Sequence, residues 1–412
     1  MRSTHAVHGL VLLLTAGFGS GLAGAEEAAS PFDAIAAGRP EVNLRPRYER
    51  VAQDGRPENA DALTVRTLLG WRTGSWHDVS AFAQLIDVGR ANDNYNDTRN
   101  GRVQFPVVSD PDDTDVNQLY IDYGGLPQTR IRLGRQSIKL DNTRFVGNVE
   151  FRQIMQVFNG VTVENRSLPK LVLQGGHLER LKTVIGDQQE IRFDLANAAY
   201  QWAEGNRLVA YGYFLDSPRT ASATGFADNS NRVLGLRADG AWPLDPAAGL
   251  LYTLEYARQQ DYAGGDQRID AHYWQAGLGA GWHAFTLRAD YEVLSSNGGV
   301  YGFQTPLGTN HLFQGWADLF LTTPPQGIRD AILSAGGPLG RAQWSVAWHD
   351  LRSDTGSIRY GNALDLGITY PLHKRITGKL EYARFEEDDR LAGTARKPDT
   401  EKLWLTLTYS FP

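Results

Sequence analysis

Polar and apolar residues alternate with a period of two along most of this 412-residue chain. The last stretch shows it best, with Leu403, Leu405, Leu407, Tyr409 and Phe411 on one face and Thr406 and Thr408 on the other. Upstream, Leu250, Tyr252, Leu254 and Tyr256 stand against Thr253 and Glu255. Phe285, Leu287, Ala289, Tyr291 and Val293 likewise oppose Thr286, Arg288, Asp290 and Glu292. Such alternation specifies β-strands with two unlike faces. It does not by itself separate a soluble sandwich, whose apolar faces meet in a core, from a membrane barrel, whose apolar face meets lipid.

The connections do separate them. Short turns fall at Arg72 to Trp76, Gly124 to Gln128, Asn165 to Pro169, Ala203 to Asn206, Pro243 to Gly249, Gly281 to Ala284, Gly336 to Arg341 and Pro371 to Arg375. Between them lie mostly longer loops, notably Gly89 to Asp113, Leu140 to Val157, Ser217 to Ser230, Ser295 to Gln326 and Glu386 to Thr400. Bacterial barrels place short turns in the periplasm and long loops outside in this order. The pattern predicts an all-β transmembrane barrel of about eighteen antiparallel strands, each roughly ten residues long, with both termini periplasmic. Trp71, Trp202, Trp242, Trp282, Tyr370 and Phe411 fall near predicted strand ends, where an interfacial girdle needs an apolar body with a polar tip; ordinary strand packing is the plainer account of any one of them.

After the first 25 residues no apolar run approaches the roughly 18 residues that a membrane helix requires, and the mean hydropathy is −0.38. Those first residues, with Arg2, an apolar run at Val11 to Leu14 and small residues at Ala23 and Ala25, read as a signal peptide cut before Glu26. Residues 26–40 form a short periplasmic segment and residues 41–412 the barrel. The net charge of −6 becomes −7 without Arg2, a balance that argues against a nucleic-acid partner. The absence of cysteine leaves a large hydrogen-bonded sheet as the source of rigidity.

Seven lysines among 41 basic residues leave 34 arginines. Arginine stays charged and offers a planar fork that fits carboxylates. The strand phases turn Arg45, Arg47, Arg66, Arg130, Arg132, Arg237, Arg288 and Arg359 inward, together with Glu49, Asp122, Asp239, Asp290, Glu292, Asp365 and Glu381. The plain reading is a ladder of structural ion pairs; the sharper one is a constriction that re-coordinates an anionic solute. The run Asp110, Asp112, Asp113 and Asp115 has the ligand type of a calcium loop without its spacing, and a solvated acidic loop is the simpler account. His349 and Asp350 are no catalytic pair, because strand neighbours face opposite ways. No GxSxG, HExxH or phosphate loop occurs, and no cofactor is implied.

Two segments resemble the bacterial alginate-export family of outer-membrane porins: GRQSIKLDNTRFVGNVEFRQIMQVFNGVTVEN, from Gly134 to Asn165, and GFQTPLGTNHLFQGWADLFLTTPPQGIRDAIL, from Gly302 to Leu333. The strand pair around AYQWAEGNRLVAYGYFLD, from Ala199 to Asp216, is similar to it as well. The resemblance implies an eighteen-stranded monomer with an arginine-rich pore for alginate. It carries over Arg135, Asp141, Arg144, Arg152 and Gln153 from the first segment, and Gln304, Asn310, Asp318 and Asp330 from the second. The phase places Arg135 on the lipid side, which requires a bulge or a position at a strand end. Arg144 and Arg152 lie in a loop that either folds into the pore or is tied to its wall.

The expectation is an outer-membrane channel of a Gram-negative bacterium, anion-selective, passing alginate or another uronate saccharide. Its expected partners are outer-membrane lipid, the solute and the barrel-assembly machinery. Two alternatives remain open at the level of sequence: a barrel enzyme acting on lipid or peptide, and a structural barrel with a plugged lumen.

Overall fold

The computed structural model describes residues 27–219, 225–388 and 397–412; the expected signal peptide lies outside them. So do parts of the expected loops at 217–230 and 386–400. A short helix, Pro31–Ala36, comes first, capped by the Ser30 hydroxyl, which accepts from the Asp33 amide, and opened by a proline whose missing N–H costs nothing at that position. It docks on the first short turn: the Ala34 carbonyl accepts from the Gly74 amide at 2.8 Å, and the Ile35 carbonyl from Trp71 Nε1 at 3.0 Å.

Twenty strands follow: β1 (Arg39–Gln53), β2 (Ala60–Arg72), β3 (Val79–Arg90), β4 (Asp113–Leu126), β5 (Thr129–Gln136), β6 (Val157–Asn165), β7 (Leu171–Lys182), β8 (Gln188–Ala203), β9 (Asn206–Asp216), β10 (Asn231–Pro243), β11 (Ala248–Asp261), β12 (Asp270–Trp282), β13 (Phe285–Leu294), β14 (Ser296–Asn297), β15 (Tyr301–Gly302), β16 (Ile328–Leu339), β17 (Ala342–Arg352), β18 (Arg359–His373), β19 (Ile376–Glu387) and β20 (Thr400–Phe411). All but the small β14–β15 hairpin belong to one antiparallel sheet of 18 strands. Each strand pairs with its successor, β13 pairs with β16, and β20 returns to β1 with Phe411 opposite Val42 and Thr400 opposite Gln53. Closure pairs every strand edge, which is the condition for crossing hydrocarbon with β-structure.

The expected faces are observed. Leu119, Leu133, Leu236, Leu254, Leu278 and Leu287 are each more than half exposed on the outside. In water this would be a very large unsatisfied apolar surface; in a bilayer it is the lipid-facing band. Among the described residues no helix is long and apolar enough to cross a membrane. Trp71, Trp202, Trp242, Trp282 and Tyr370 project outward near the short-turn ends of their strands. At the opposite end Tyr256 stands beside Trp274 in register, both exposed, as a second aromatic level requires.

All eight expected short turns lie at one end of the barrel, the periplasmic one. The loops of residues 91–112, 137–156 and 295–327 leave the other end, and the last two turn back into the lumen. Phe145, Phe303, Leu307 and Phe320 from these loops pack on Phe158, Phe193, Tyr211, Tyr213, Tyr273, Tyr360 and Phe385 from the wall. Phe145 meets Tyr273 at 5.2 Å edge-on and Phe303 at 5.9 Å. The apolar core of the protein therefore sits inside the outer half of the barrel, and the turn-side half keeps a polar lining.

Candidate functional site

Three buried arginines sit near mid-barrel on neighbouring strands. Arg45, Arg47 and Glu49 are buried on the inner face of β1, while Leu44, just before them, is exposed to lipid. Arg45 lies opposite Arg66 of β2, and Arg47 opposite Thr64. Arg45 donates to Gln153 Oε1 at 2.9 Å, to the Glu150 carbonyl at 2.8 Å and to the Arg152 carbonyl. Among the described residues Arg66 donates only to Asn43 Oδ1, at 2.8 Å, and its Nε and one Nη are buried without an acceptor there. Arg47 reaches Thr406 Oγ1 at 3.2 Å and Asp110 at 3.9 Å. Among the described residues, that Asp110 oxygen is the one carboxylate atom within 4 Å of any of the three guanidiniums.

The other inward arginines have answering carboxylates. Arg132 grips Asp122 through two bonds of 2.7 Å and lies over the Tyr120 ring at 3.7 Å. Arg130 faces Glu164 at 3.5 Å. Arg237 meets Glu255 at 2.5 Å and Asp239 at 2.7 Å, and Arg288 meets Asp290 at 2.7 Å. Glu381 is paired with Lys379 at 2.6 Å, and Asp365 accepts the Trp316 amide at 3.0 Å. Ion pairs thus line the wall here both across strands, as in Arg132–Asp122, and along one strand, as in Arg288–Asp290.

Both loop arginines fold inward and are tied to the wall. Arg144 pairs with Glu292 of β13 at 2.9 Å, lies over the Phe313 ring at 4.4 Å, and donates to Gln314 Oε1 at 3.0 Å. Arg152 pairs with Glu49 of β1 at 3.2 Å and with Asp318 of the other inward loop at 2.9 Å. Asp318 also receives Lys402 at 2.8 Å and His311 at 2.7 Å. Burial opposes its charge, but His311, Lys402 and Arg152 outweigh that and hold the carboxyl well below the usual carboxylate range. The remaining motif positions are structural. Asp141 accepts from Asn197, Gln304 donates to the Gly302 and Thr323 carbonyls, and Asn310 donates to the Thr305 and Leu321 carbonyls.

One sequence expectation needs correction. Arg359 does not point inward: a register shift between Leu351 and Arg352 places it opposite Arg352, on the outer face, where it meets Asp350 at 3.2 Å. The extra residue turns Tyr360 into the wall instead, fully buried. The aspartates at 110–115 do not converge on a cation site. Asp110 accepts the Gln153 amide, Asp112 takes Arg90, and Asp113 and Asp115 share Lys182; among the described residues no acidic or histidine cluster could hold a metal.

Arg135 resolves as its phase required. It is the last residue but one of β5, beside register shifts in the β3–β4 and β6–β7 pairings, and there it bonds Asp115 and the Val116 carbonyl. His349 and Asp350 point to opposite faces, and His349 contacts Asp330 at 2.9 Å and Asp365 at 3.5 Å across neighbouring strands. Sequence reasoning missed Lys379, Lys402 and Trp404, although the alternation of Lys379 with Leu380, and of Lys402 and Trp404 with Leu403 and Leu405, carried the signal.

A closed antiparallel barrel of 18 strands with lipid outside and charged residues within is an outer-membrane porin. The chain belongs to the alginate-export family, whose model matches residues 41–297. Fold and family place it in the outer membrane of a Gram-negative bacterium. Three porins of known structure share the fold across 92% of this chain. OpdL of Pseudomonas aeruginosa is 14% identical with a TM-score of 0.68 and 99% of its own chain covered. OpdO of the same organism is 16% identical with a TM-score of 0.69 and 98% covered. OccAB2 of Acinetobacter baumannii is 12% identical with a TM-score of 0.71 and 99% covered. No curated protein sequence matches the chain.

Proposed function

We propose that this porin is a passive channel for anionic solutes, with alginate or another uronate polysaccharide or oligosaccharide as cargo, and that it acts without catalysis. The reading is carried by the Arg45, Arg47 and Arg66 group, three buried guanidiniums in one part of the lumen against a single carboxylate contact at 3.9 Å. A uronate offers one carboxylate per sugar, each matching the guanidinium fork, and a repeating chain can trade one such contact for the next. The family's description supports the same cargo. In this reading the chain is exported by its cleaved N-terminal signal, inserted by the barrel-assembly machinery, and works as a monomer surrounded by lipid.

Reversal potentials in planar bilayers under a salt gradient test it. Anion preference is expected, reduced when Arg47, Arg66 and Arg288 are replaced by glutamine, and uronate oligosaccharides are expected to cause brief interruptions of the current through channels that are already open. Cation preference indifferent to those replacements rejects the arginine filter. The inward packing of residues 137–156 and 295–327 favours one other reading, a structural barrel with a permanently filled lumen. Absence of conductance from the native chain and from a variant with its loops released would establish that reading instead.

A further inference from the structure

We infer that the Arg45–Arg66 pair is a carboxylate-binding site occupied by the chain's own residues 150–153, and that a uronate carboxylate opens the lumen by displacing them. This rests on the anion-channel reading above and adds the regulation of its arginine group.

The seat is visible in the hydrogen bonds. Three donors of Arg45 go to three oxygens of one short stretch, the Glu150 carbonyl, the Arg152 carbonyl and Gln153 Oε1. All three are neutral, whereas an ionised carboxylate in the same fork makes bonds roughly twice as strong. Across the register, Arg66 keeps two nitrogens buried and without an acceptor, as does Arg47 with one. Unmade hydrogen bonds of a buried charge destabilise the state that contains them. An incoming carboxylate therefore gains the unused donors of Arg66 and replaces weaker acceptors on Arg45.

The same stretch is a strap across the lumen. Gln153 donates to Thr64 Oγ1 at 2.9 Å and to the Arg45 carbonyl at 3.3 Å, its amide donates to Asp110, and Ile154 and Met155 pack on Leu68, Ile86 and Val88. From this anchorage Arg152 reaches the second inward loop at Asp318. Lifting residues 150–153 from Arg45 thus loosens the contact that joins the two loops. The neighbour on the turn side, Asn43, lies on the polar, partly exposed part of the wall, so an anion in the periplasmic vestibule meets this site first. The ligand acts by binding the strap-free state better than the strapped one, which is the requirement for shifting any such equilibrium.

The test uses the full-length protein in planar bilayers, with a uronate trisaccharide as probe and neutral maltotriose as control. The trisaccharide is expected to raise the open probability of the native channel severalfold, and maltotriose to leave it unchanged. Gln153→Ala keeps every arginine and is expected to raise open probability tenfold or more without saccharide, with anion preference retained. Because the chain has no cysteine, Thr64→Cys/Gln153→Cys can be bridged by a reversible bis-thiosulfonate reagent. The bridged channel should stay closed with trisaccharide present, and reduction should make it behave as Gln153→Ala. A native channel that the trisaccharide only blocks, with Gln153→Ala equally closed, overturns the inference, and so does a bridged channel that still opens. An open Gln153→Ala channel that prefers cations would refute the anion-channel reading and leave the strap intact.

Discussion

Arg152 is the side chain whose removal should most clearly release the loops. It holds two carboxylates, and they differ in what else they have. Asp318 retains Lys402 at 2.8 Å and His311 at 2.7 Å. Glu49 retains nothing comparable: one of its oxygens is already buried without a partner and the other bonds Arg152 alone. All three side chains are at most 8% exposed, so Arg152→Met leaves Glu49 a buried charge with no hydrogen-bonded partner and only the more distant Arg47 to offset it. Breaking a buried pair from one side costs about 3–5 kcal/mol. The lower end applies here, because water can enter the lumen once the loop lifts. About 3 kcal/mol corresponds to roughly a hundredfold shift from docked to released loop. The barrel should stay intact, since its strand ladder is untouched. Single-channel recording should show the open probability rising accordingly, and hydrogen exchange should show lost protection at residues 142–153. Adding Glu49→Gln should restore most of the docking, because it removes the stranded charge. Unchanged exchange in Arg152→Met, or a double variant no better docked than the single one, would refute the reasoning.

Leu236→Arg places a charge on the lipid face midway along β10, where Leu236 is 57% exposed, and should cost about 2–4 kcal/mol in urea unfolding from vesicles. Gly134 has φ +132°, and an added Cβ would lie 2.2 Å from the Leu119 carbonyl oxygen; Gly134→Ala should reduce folded yield in a heat-modifiability gel, and normal yield would contradict the close approach. Because docking depresses the Asp318 carboxyl, its contribution is complete above the free carboxylate value near 4 and is lost only as pH falls through the lower docked value. Protection of residues 309–320, corrected for intrinsic exchange, should therefore stay flat from pH 8 to about 4; loss near pH 6 would show that another group controls the loop.

Strand existence, turn positions and face assignment were legible because they follow from local alternation and turn chemistry. Leu403, Leu405 and Leu407 face outward and Thr406 inward, as period two requires. The limit of that logic is Arg359, where one inserted residue reverses the face and the one local mark of the insertion is Gly361, with φ +145°. Alternation also says which side a residue faces, not what comes to meet it. Arg45 was readable as inward, but its partners lie more than 100 residues away in a loop. Glu49 and Asp318 were visible as separate charges; that Arg152 joins them is a tertiary fact. The acidic run shows the same limit, since nothing local says that Arg90 and Lys182 from other strands take up Asp112, Asp113 and Asp115.

The reversal potential of the single channel under a tenfold potassium chloride gradient tests the central claim most directly. With a strap-released variant supplying ample current, the account predicts a potential of the sign set by chloride, shrinking towards zero when Arg45 and Arg66 are both replaced by glutamine. A potential of the sign set by potassium, unmoved by those replacements, would contradict it.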